Sequence, residues 1–243
     1  MKILVCISNV PDTTSKISFT DNKAFNSAGI QFIINPYDEI ALSRALELKE
    51  ALGGTVTVIN VGLANTEPSI RKAIAIGADD AIRINVEPTD AFLVADLIAQ
   101  TAKNNQYDII LTGRESIDYN GAQVGGMIAE LLDLPFISVA TKLDINGTQA
   151  ILEREIDGGK EVLVSPLPIV ASAQKGMAEP RIPNMRGIMT ARTKPLQVIE
   201  ATGNALTSSV AFELPPAKSA CKMLTVDQVE ELVNLLHTEA KVI

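Results

Sequence analysis

The sequence has few of the side chains that commonly carry nucleophilic or metal chemistry. Its 243 residues contain one histidine, two cysteines and no tryptophan. A Ser-His-Asp hydrolase, a Cys-His enzyme or a multi-histidine metal site would have to use His237, near the end of a predicted C-terminal helix over 225–237. We interpret His237 as a surface histidine at a helix C-terminus, where positive charge is favourable. We therefore expect no catalysis by histidine and no multi-histidine metal site.

Positive charge and long apolar runs are also scarce. The 21 Lys and Arg residues are outnumbered by 29 Asp and Glu residues, giving a net charge of −8. Binding to a phosphate backbone needs a basic surface, so we expect no nucleic-acid partner. No apolar run approaches the roughly 20 residues that span a bilayer, and the N-terminal run reaches Ser8 and Asn9 too early for a signal peptide. Cys6 and Cys221 cannot form a disulfide framework, so we expect a cytoplasmic protein without membrane insertion.

The first two-thirds of the chain alternates apolar runs of strand length with helical patterns. Strands are predicted at 2–8, 55–61, 81–84, 108–112 and 136–139. Helices are predicted at 37–52, 66–77, 90–103 and 122–133. Unpunctuated apolar strands, each followed by an amphipathic helix, indicate a parallel sheet covered on both faces.

The pattern changes after Val139. Residues 141–145 and 149–156 flank Asn146-Gly147, which suits a type I′ turn, and further strands are predicted at 161–164, 169–173 and 196–199. Residues 174–194 have neither period, 203–222 resemble an extended arm, and Thr225 to Gln228 has capping-box spacing for a last helix. We predict an α/β, Rossmann-like, doubly wound and mostly parallel sheet, with an antiparallel extension and a C-terminal arm ending in a helix.

Such a sheet binds ligands beyond the carboxyl ends of its strands. The richest loop there is 113–126, which leaves a strand and enters a helix whose N–H groups can face an anion. It is neither a G-x-G-x-x-G fingerprint nor a P-loop, so it remains either an anion-binding loop or a plain connection. Asn35 opens the 37–52 helix and is more simply a cap than a reader of an adenine or ribose edge.

Four motifs, in this order along the chain, resemble those of a known family. They are Asn35-Pro36-Tyr37-Asp38-Glu39-Ile40-Ala41, the 113–126 loop, Glu153-Arg154-Glu155-Ile156-Asp157-Gly158-Gly159, and Glu179-Pro180-Arg181 followed by Pro183-Asn184-Met185. With these motifs the chain resembles, essentially end to end, the β subunits of electron transfer flavoproteins.

The resemblance implies an electron-carrier subunit. An α subunit would supply most of an FAD site, and this chain would cover one side of the flavin and bury a structural AMP. By position, the nucleotide site would comprise Cys6, Asn35, Pro36, Tyr37, Asp38, Val61, Gly113, Arg114, Glu115, Ser116, Ile117, Asp118, Tyr119, Asn120, Gly121, Ala122, Gln123 and Val124. Residues 1–200 would form the nucleotide-binding domain, and 201–243 an arm and helix packing on the partner subunit.

The resemblance also assigns contacts with the flavin side and with other proteins. Glu155 would pair with a flavin-associated arginine of the α subunit, instead of being only a solvated hairpin carboxylate. The Asp12-Thr13 segment would lie near the flavin, although Thr13 and Ser8 depart from the aromatic and lysine residues found in relatives. The segment 174–194 has five basic residues and one acidic residue, and corresponds to the family's recognition loop for flavin-dependent dehydrogenases of the acyl-CoA type. Its predicted docking residues are Ile182, Met185, Arg186 and Met189, and Met177 and Ile188 are also expected at its surface.

Two alternatives stay open. In a bifurcating variant of the family, a second FAD replaces AMP and the complex oxidises NADH, and residues 122–125 resemble that variant. In a different class of function, the chain would be a free-standing adenine-nucleotide sensor. A nucleotide-cleaving synthetase would need a Ser-Gly-Gly-type loop or paired histidines, which the sequence lacks.

Overall fold

The computed structural model describes residues 1–218 and 220–243. The strands are β1 Lys2–Cys6, β2 Asn9–Pro11, β3 Phe19–Thr20, β4 Ala24–Phe25, β5 Phe32–Ile34, β6 Thr55–Val61, β7 Asp80–Ile84, β8 Ile109–Gly113, β9 Phe136–Asn146, β10 Gln149–Ile156, β11 Gly159–Pro166, β12 Ile169–Ala173 and β13 Leu196–Ile199. The helices are α1 Pro36–Leu52, α2 Glu67–Ile76, α3 Ala91–Lys103, α4 Val124–Leu132, α5 Met185–Ala191 and α6 Val229–Leu235, with a 3-10 turn at Ala64–Thr66 and a π-helical turn at Leu236–Ala240.

Nine strands form one sheet in the order β11-β10-β9-β12-β8-β1-β6-β7-β13. The strands from β9 to β13 in that order are parallel, and β10 and β11 add the antiparallel extension. The chain builds outward from β1 to β6 and β7, then crosses to β8 on the other side of β1. The predicted Rossmann-like α/β fold is confirmed, and its topological switch point lies between β1 and β8.

The central parallel strands are buried on both faces, and each contributes apolar side chains alternately to the two faces. In β1, Ile3 and Val5 pack in the cluster that contains α1, α2 and Ala191 of α5. Leu4 and Cys6 point to the opposite cluster, with α3 and α4. This arrangement explains why the parallel strands are continuous apolar runs in the sequence.

Five predicted boundaries or environments were wrong. Residues 136–139 and 141–145 are one strand, β9, because Val139 takes a left-handed φ of 52° without ending the pairing. The segment 174–194 contains α5, and Met177 is buried in the core instead of lying on the surface. The last helix begins at Val229, after Gln228 Oε1 has accepted the Thr225 N–H. Helix α4 begins at Val124, not near Ala122, because Ala122 has a left-handed φ of 51°.

The C-terminal arm is fastened to the body up to Phe212. Asp90 caps α3 by accepting the Leu93 N–H at 2.8 Å, and its other oxygen accepts the N–H groups of Leu206 and Thr207. The Phe212 ring stacks on Phe19 at 4.8 Å between centroids. Ser219, within the predicted arm, lies outside the described residues. Helix α6 buries none of its residues.

Candidate functional site

The predicted nucleotide-site residues converge at the carboxyl edge of the sheet. Cys6 ends β1, Val61 ends β6 and Gly113 ends β8, and these three strands are neighbours. Residues 35–38 form the start of α1, and 113–124 form the connection from β8 to α4. The fold therefore brings these segments together at its switch point.

Asp38 joins three of these segments. Its Oδ2 accepts the Ser8 N–H at 2.7 Å, and its Oδ1 accepts the Gly113 N–H at 2.9 Å. A Cβ added at Gly113 would lie 2.3 Å from Asp38 Oδ1 and 2.7 Å from Tyr37 Cβ, so only glycine fits there. Burial raises the pKa of Asp38 to about 7, and burial also raises the pKa of the neighbouring Cys6 thiol.

Asn35 occupies the N-cap position of α1, as the simpler interpretation has it, but its side chain makes no capping hydrogen bond. Its fully buried side chain turns to the loop, where Nδ2 donates to the Glu115 carbonyl at 2.8 Å and Oδ1 accepts the Ile117 N–H at 3.3 Å. The polar atoms of Asn35 are thus used in holding the loop. The whole residue is buried, so Asn35 supports the loop and offers a ligand no exposed atom.

Arg114 is already neutralised within the loop. Its Nη2 lies 3.0 Å from Glu115 Oε1, and its guanidinium lies 5.3 Å from the centre of the Tyr37 ring. This pairing explains how an acidic residue is accommodated in a loop with anion-binding features. Arg114 and Tyr37 therefore offer a ligand a planar surface instead of an unpaired positive charge.

The end of the loop leaves helix N–H groups without a side-chain cap. Asn120 and Ala122 have left-handed φ values of 52° and 51°, and the Gln123 side chain makes no capping hydrogen bond to α4. A Cβ added at Gly125 would lie 2.9 Å from Thr112 Oγ1, so the first turn of α4 sits directly against the end of β8. Such an N-terminus favours an anion.

Sequence reasoning missed three polar residues at this edge. In the described part of the chain, four buried side-chain atoms lack a hydrogen-bond partner, and three of them are Asn60 Oδ1, Arg83 Nε and Thr112 Oγ1. Each belongs to the penultimate residue of its strand, β6, β7 or β8. A polar residue at the end of an otherwise apolar strand is the signal that could have found them. Buried polar groups of this kind need a partner, so this edge is chemically suited to a polar ligand.

The outer part of the loop faces solvent. Tyr119 is 69% exposed, and Asp118 Oδ1 accepts the Tyr119 N–H at 3.0 Å. Partial burial, followed by Asp118 and Glu87, raises the pKa of Tyr119. The predicted site is therefore held firmly at residues 113–117 and is open at 118–122.

Glu155 lies on β10 away from this edge. It lines an open cavity of about 500 Å³ together with Lys160 and Lys175. Lys160 is its cross-strand neighbour, yet Glu155 makes no ion pair within 4 Å among the described residues. Its carboxylate is thus available to a cationic group from outside the chain.

The predicted docking residues lie on and beside α5. Ile182 is 91% exposed, Met185 77% and Met189 72%, and Arg186 is exposed as well. Helix α5 rests on α2 so closely that a Cβ added at Gly187 would lie 2.2 Å from the Ala75 carbonyl oxygen. The exposed apolar side chains of α5 are therefore held in place by its contact with α2.

The residues that the structure describes contain neither a candidate metal site nor a candidate membrane span. No group of three or more His, Cys, Asp or Glu side chains there is arranged to hold a metal ion. Among the same residues, no helix combines the length and apolar character needed to cross a bilayer.

Comparison with known proteins identifies the family. A family model described as the electron transfer flavoprotein domain matches residues 23–204. The chain is 40% identical to the electron transfer flavoprotein subunit beta of Bacillus subtilis (strain 168), over 100% of both chains. It is 39% identical to the same subunit of Syntrophomonas wolfei, over 90% of this chain and 88% of that one, and 34% identical to the human subunit, over 97% and 96%. This chain therefore belongs to the electron transfer flavoprotein family.

Proposed function

We propose that this chain pairs with an α subunit in an FAD-containing heterodimer, which carries electrons from acyl-CoA-type dehydrogenases to a respiratory acceptor. The observation that carries the proposal is the 40% identity to a β subunit over the whole length of both chains. The two cysteines, both free, support the cytoplasmic location that we also propose.

AMP is the proposed ligand of the carboxyl edge. The first turn of α4 offers N–H groups to a phosphate, and Thr112 Oγ1 beside it is a buried polar atom in need of a partner. The planar pair of Arg114 and Tyr37 suits a position beside the ring or sugar of a nucleotide. These residues would bind and orient the nucleotide, whose role would be structural.

FAD would be shared with the α subunit and would supply reversible electron acceptance. On this chain, Glu155 would orient an arginine of the partner subunit and set the charge near the flavin. Its lack of an ion pair among the described residues supports that role. The Asp12-Thr13 segment would lie nearby, and Asp12 is held in a turn by accepting the Thr14 N–H at 2.9 Å.

The exposed surface of α5 would dock the dehydrogenases. Methionine side chains adapt to a partner pocket, and the neighbouring basic residues would favour an acidic partner. Arg181 contributes less charge than the sequence suggests, because it makes a bidentate pair with Glu50 at 2.6 and 2.9 Å. The arm and helix over 201–243 would pack on the α subunit.

The stoichiometry of bound cofactors tests the proposal. The chain would be purified with whatever subunit co-purifies with it, denatured, and assayed for FAD and AMP per complex. One FAD and one AMP would support the proposal. Two FAD and no AMP would indicate the bifurcating variant, and a colourless monomer that binds adenine nucleotide would favour the free-standing sensor.

A further inference from the structure

Asp38 connects the two central strands where their own pairing stops. The ladder between β1 and β8 ends at Val5 and Leu111. Beyond it, the Asp38 carboxylate accepts the N–H of Ser8, which follows β1, and the N–H of Gly113, the last residue of β8. Asp38 is only 4% exposed, so a ligand at the edge would not reach it.

Because the two N–H groups reach different oxygens of Asp38, both oxygens must be free to accept a hydrogen bond. An ionised carboxylate accepts on both, whereas a protonated one carries a hydrogen on one oxygen and serves a second N–H poorly. No basic side chain of the described residues lies within ion-pair distance of Asp38. The titratable or charged groups nearest in the chain to Asp38 and its contacts are Cys6 on β1, Tyr37 and Glu39 on α1, and Arg114 and Glu115 in the loop. Of these, Glu39 is paired with Lys72, and Arg114 is paired with Glu115.

We propose that Asp38 is a positioning residue for the nucleotide site: its ionised carboxylate holds the loop 113–124 against β1, and protonation releases one of its two contacts. Asn35 fixes the next part of the same loop at residues 115 and 117. The inference rests on the proposed function, since it takes AMP as the ligand of this loop.

The pKa of Asp38, raised by burial to about 7, puts the change in the neutral range. Because the folded-state pKa lies above the ordinary value of 3.8, protonation stabilises the fold. That stabilisation is lost as the pH rises through about 7, while the contacts with Ser8 and Gly113 become complete. Fold stability and AMP affinity should therefore change in opposite directions between pH 6 and 8, which a merely structural role would not produce.

The test uses the full-length chain with its co-purifying subunit, freed of endogenous nucleotide. Isothermal titration with AMP should show the affinity falling towards tenfold per pH unit below about pH 7. Asp38→Asn keeps the size of the side chain but cannot ionise, so AMP should bind at least tenfold more weakly at pH 8. The pH dependence that remains from 6 to 8 should be that of the AMP phosphate, whose second pKa is about 6. Its melting temperature should lose the part of the pH dependence between 6 and 8 that comes from Asp38, because the side chain no longer ionises.

Asp108→Asn is the matched control. Asp108 Oδ2 accepts the Lys2 N–H at 2.7 Å at the opposite end of β1, so its loss should leave AMP affinity within twofold and the pH dependence intact. In NMR spectra, the amide signals of Ser8 and Gly113 should titrate together near pH 7 in the wild type and not in Asp38→Asn.

The outcomes separate the inference from the proposed function. Wild-type AMP binding that is independent of pH, unchanged AMP affinity in Asp38→Asn, or amide signals that do not titrate would overturn the inference and leave the proposed function standing. No AMP binding by the wild type at any pH would reject AMP as the ligand, and with it both this inference and the AMP part of the proposed function.

Discussion

The body of the molecule, residues 1–212, and the distal segment, residues 213–243, both contain helices, but those helices differ in burial. Helix α1 buries eight of its residues, whereas α6 buries none. The large apolar side chains exposed in the distal segment are Leu214, Met223, Val226, Val229, Leu232, Val233, Val242 and Ile243. A short helix without burial is marginal in water, which supports the proposal that the distal segment packs on the α subunit.

Removal of the distal segment should separate the two regions most strongly. A chain ending at Phe212 keeps the Asp90 contacts and the Phe19 stack, so its melting temperature should fall by less than about 4 °C. Co-purification with the α subunit should be lost. A truncated chain that still forms a stable heterodimer would contradict the assignment of this segment to the partner.

Core truncations should sharpen the contrast energetically. Ile110 is 2% exposed between α3 and α4, so Ile110→Ala should cost about 2–5 kcal/mol in the free energy of unfolding. Val233, 53% exposed on α6, is the matched position, and Val233→Ala should cost less than about 0.5 kcal/mol in the isolated chain. Urea denaturation measures both, and comparable losses would mean that α6 is part of the folding unit.

Met185 tests whether an exposed apolar group on the body also serves a partner. Met185→Ala should slow electron transfer with the dehydrogenase by about tenfold, as loss of an interface anchor does, without changing FAD content. Gly187→Ala is the comparison, because its Cβ would collide with the Ala75 carbonyl and displace the whole of α5. If Met185→Ala loses flavin, the segment is structural instead of a docking surface.

Glu155 should give the smallest effect. Glu155→Gln removes one exposed charge, so the flavin potential or the heterodimer affinity should change measurably, the affinity by less than about tenfold. Lys160→Gln, at the facing cross-strand position, controls for general changes of charge in the cavity. Potentiometry and a binding titration measure the two quantities, and no change in either would leave Glu155 an ordinary hairpin carboxylate.

The sequence allowed the core of the fold to be predicted because the signals there are local. Runs such as Ile109-Ile110-Leu111 are apolar on both faces, and Asn146-Gly147 specifies its turn with a φ of 60° at Gly147. Val139 misled the strand assignment because a β-branched residue seldom adopts a left-handed φ. The pairing of β2 with β5 spans a long excursion without regular periodicity, and it was not predicted.

The location of the candidate site could be predicted, but the task of each residue could not. Carboxyl ends of neighbouring parallel strands share one edge, so the positions of Cys6, Val61 and Gly113 follow from the topology. Asn35 and Asp38 bind partners 80 and 75 residues away in the sequence. No local pattern distinguishes such a contact from an ordinary helix cap.

Asp90 has a consequence for how this chain tolerates change. The same carboxylate caps the N-terminus of α3 and accepts the N–H groups of Leu206 and Thr207 in the C-terminal arm. Replacing Asp90 would remove the cap of α3 and release the C-terminal arm at Leu206 and Thr207 at the same time. A variant of Asp90 would then be defective in both folding and assembly, although Asp90 and Leu206 lie more than a hundred residues apart in the sequence.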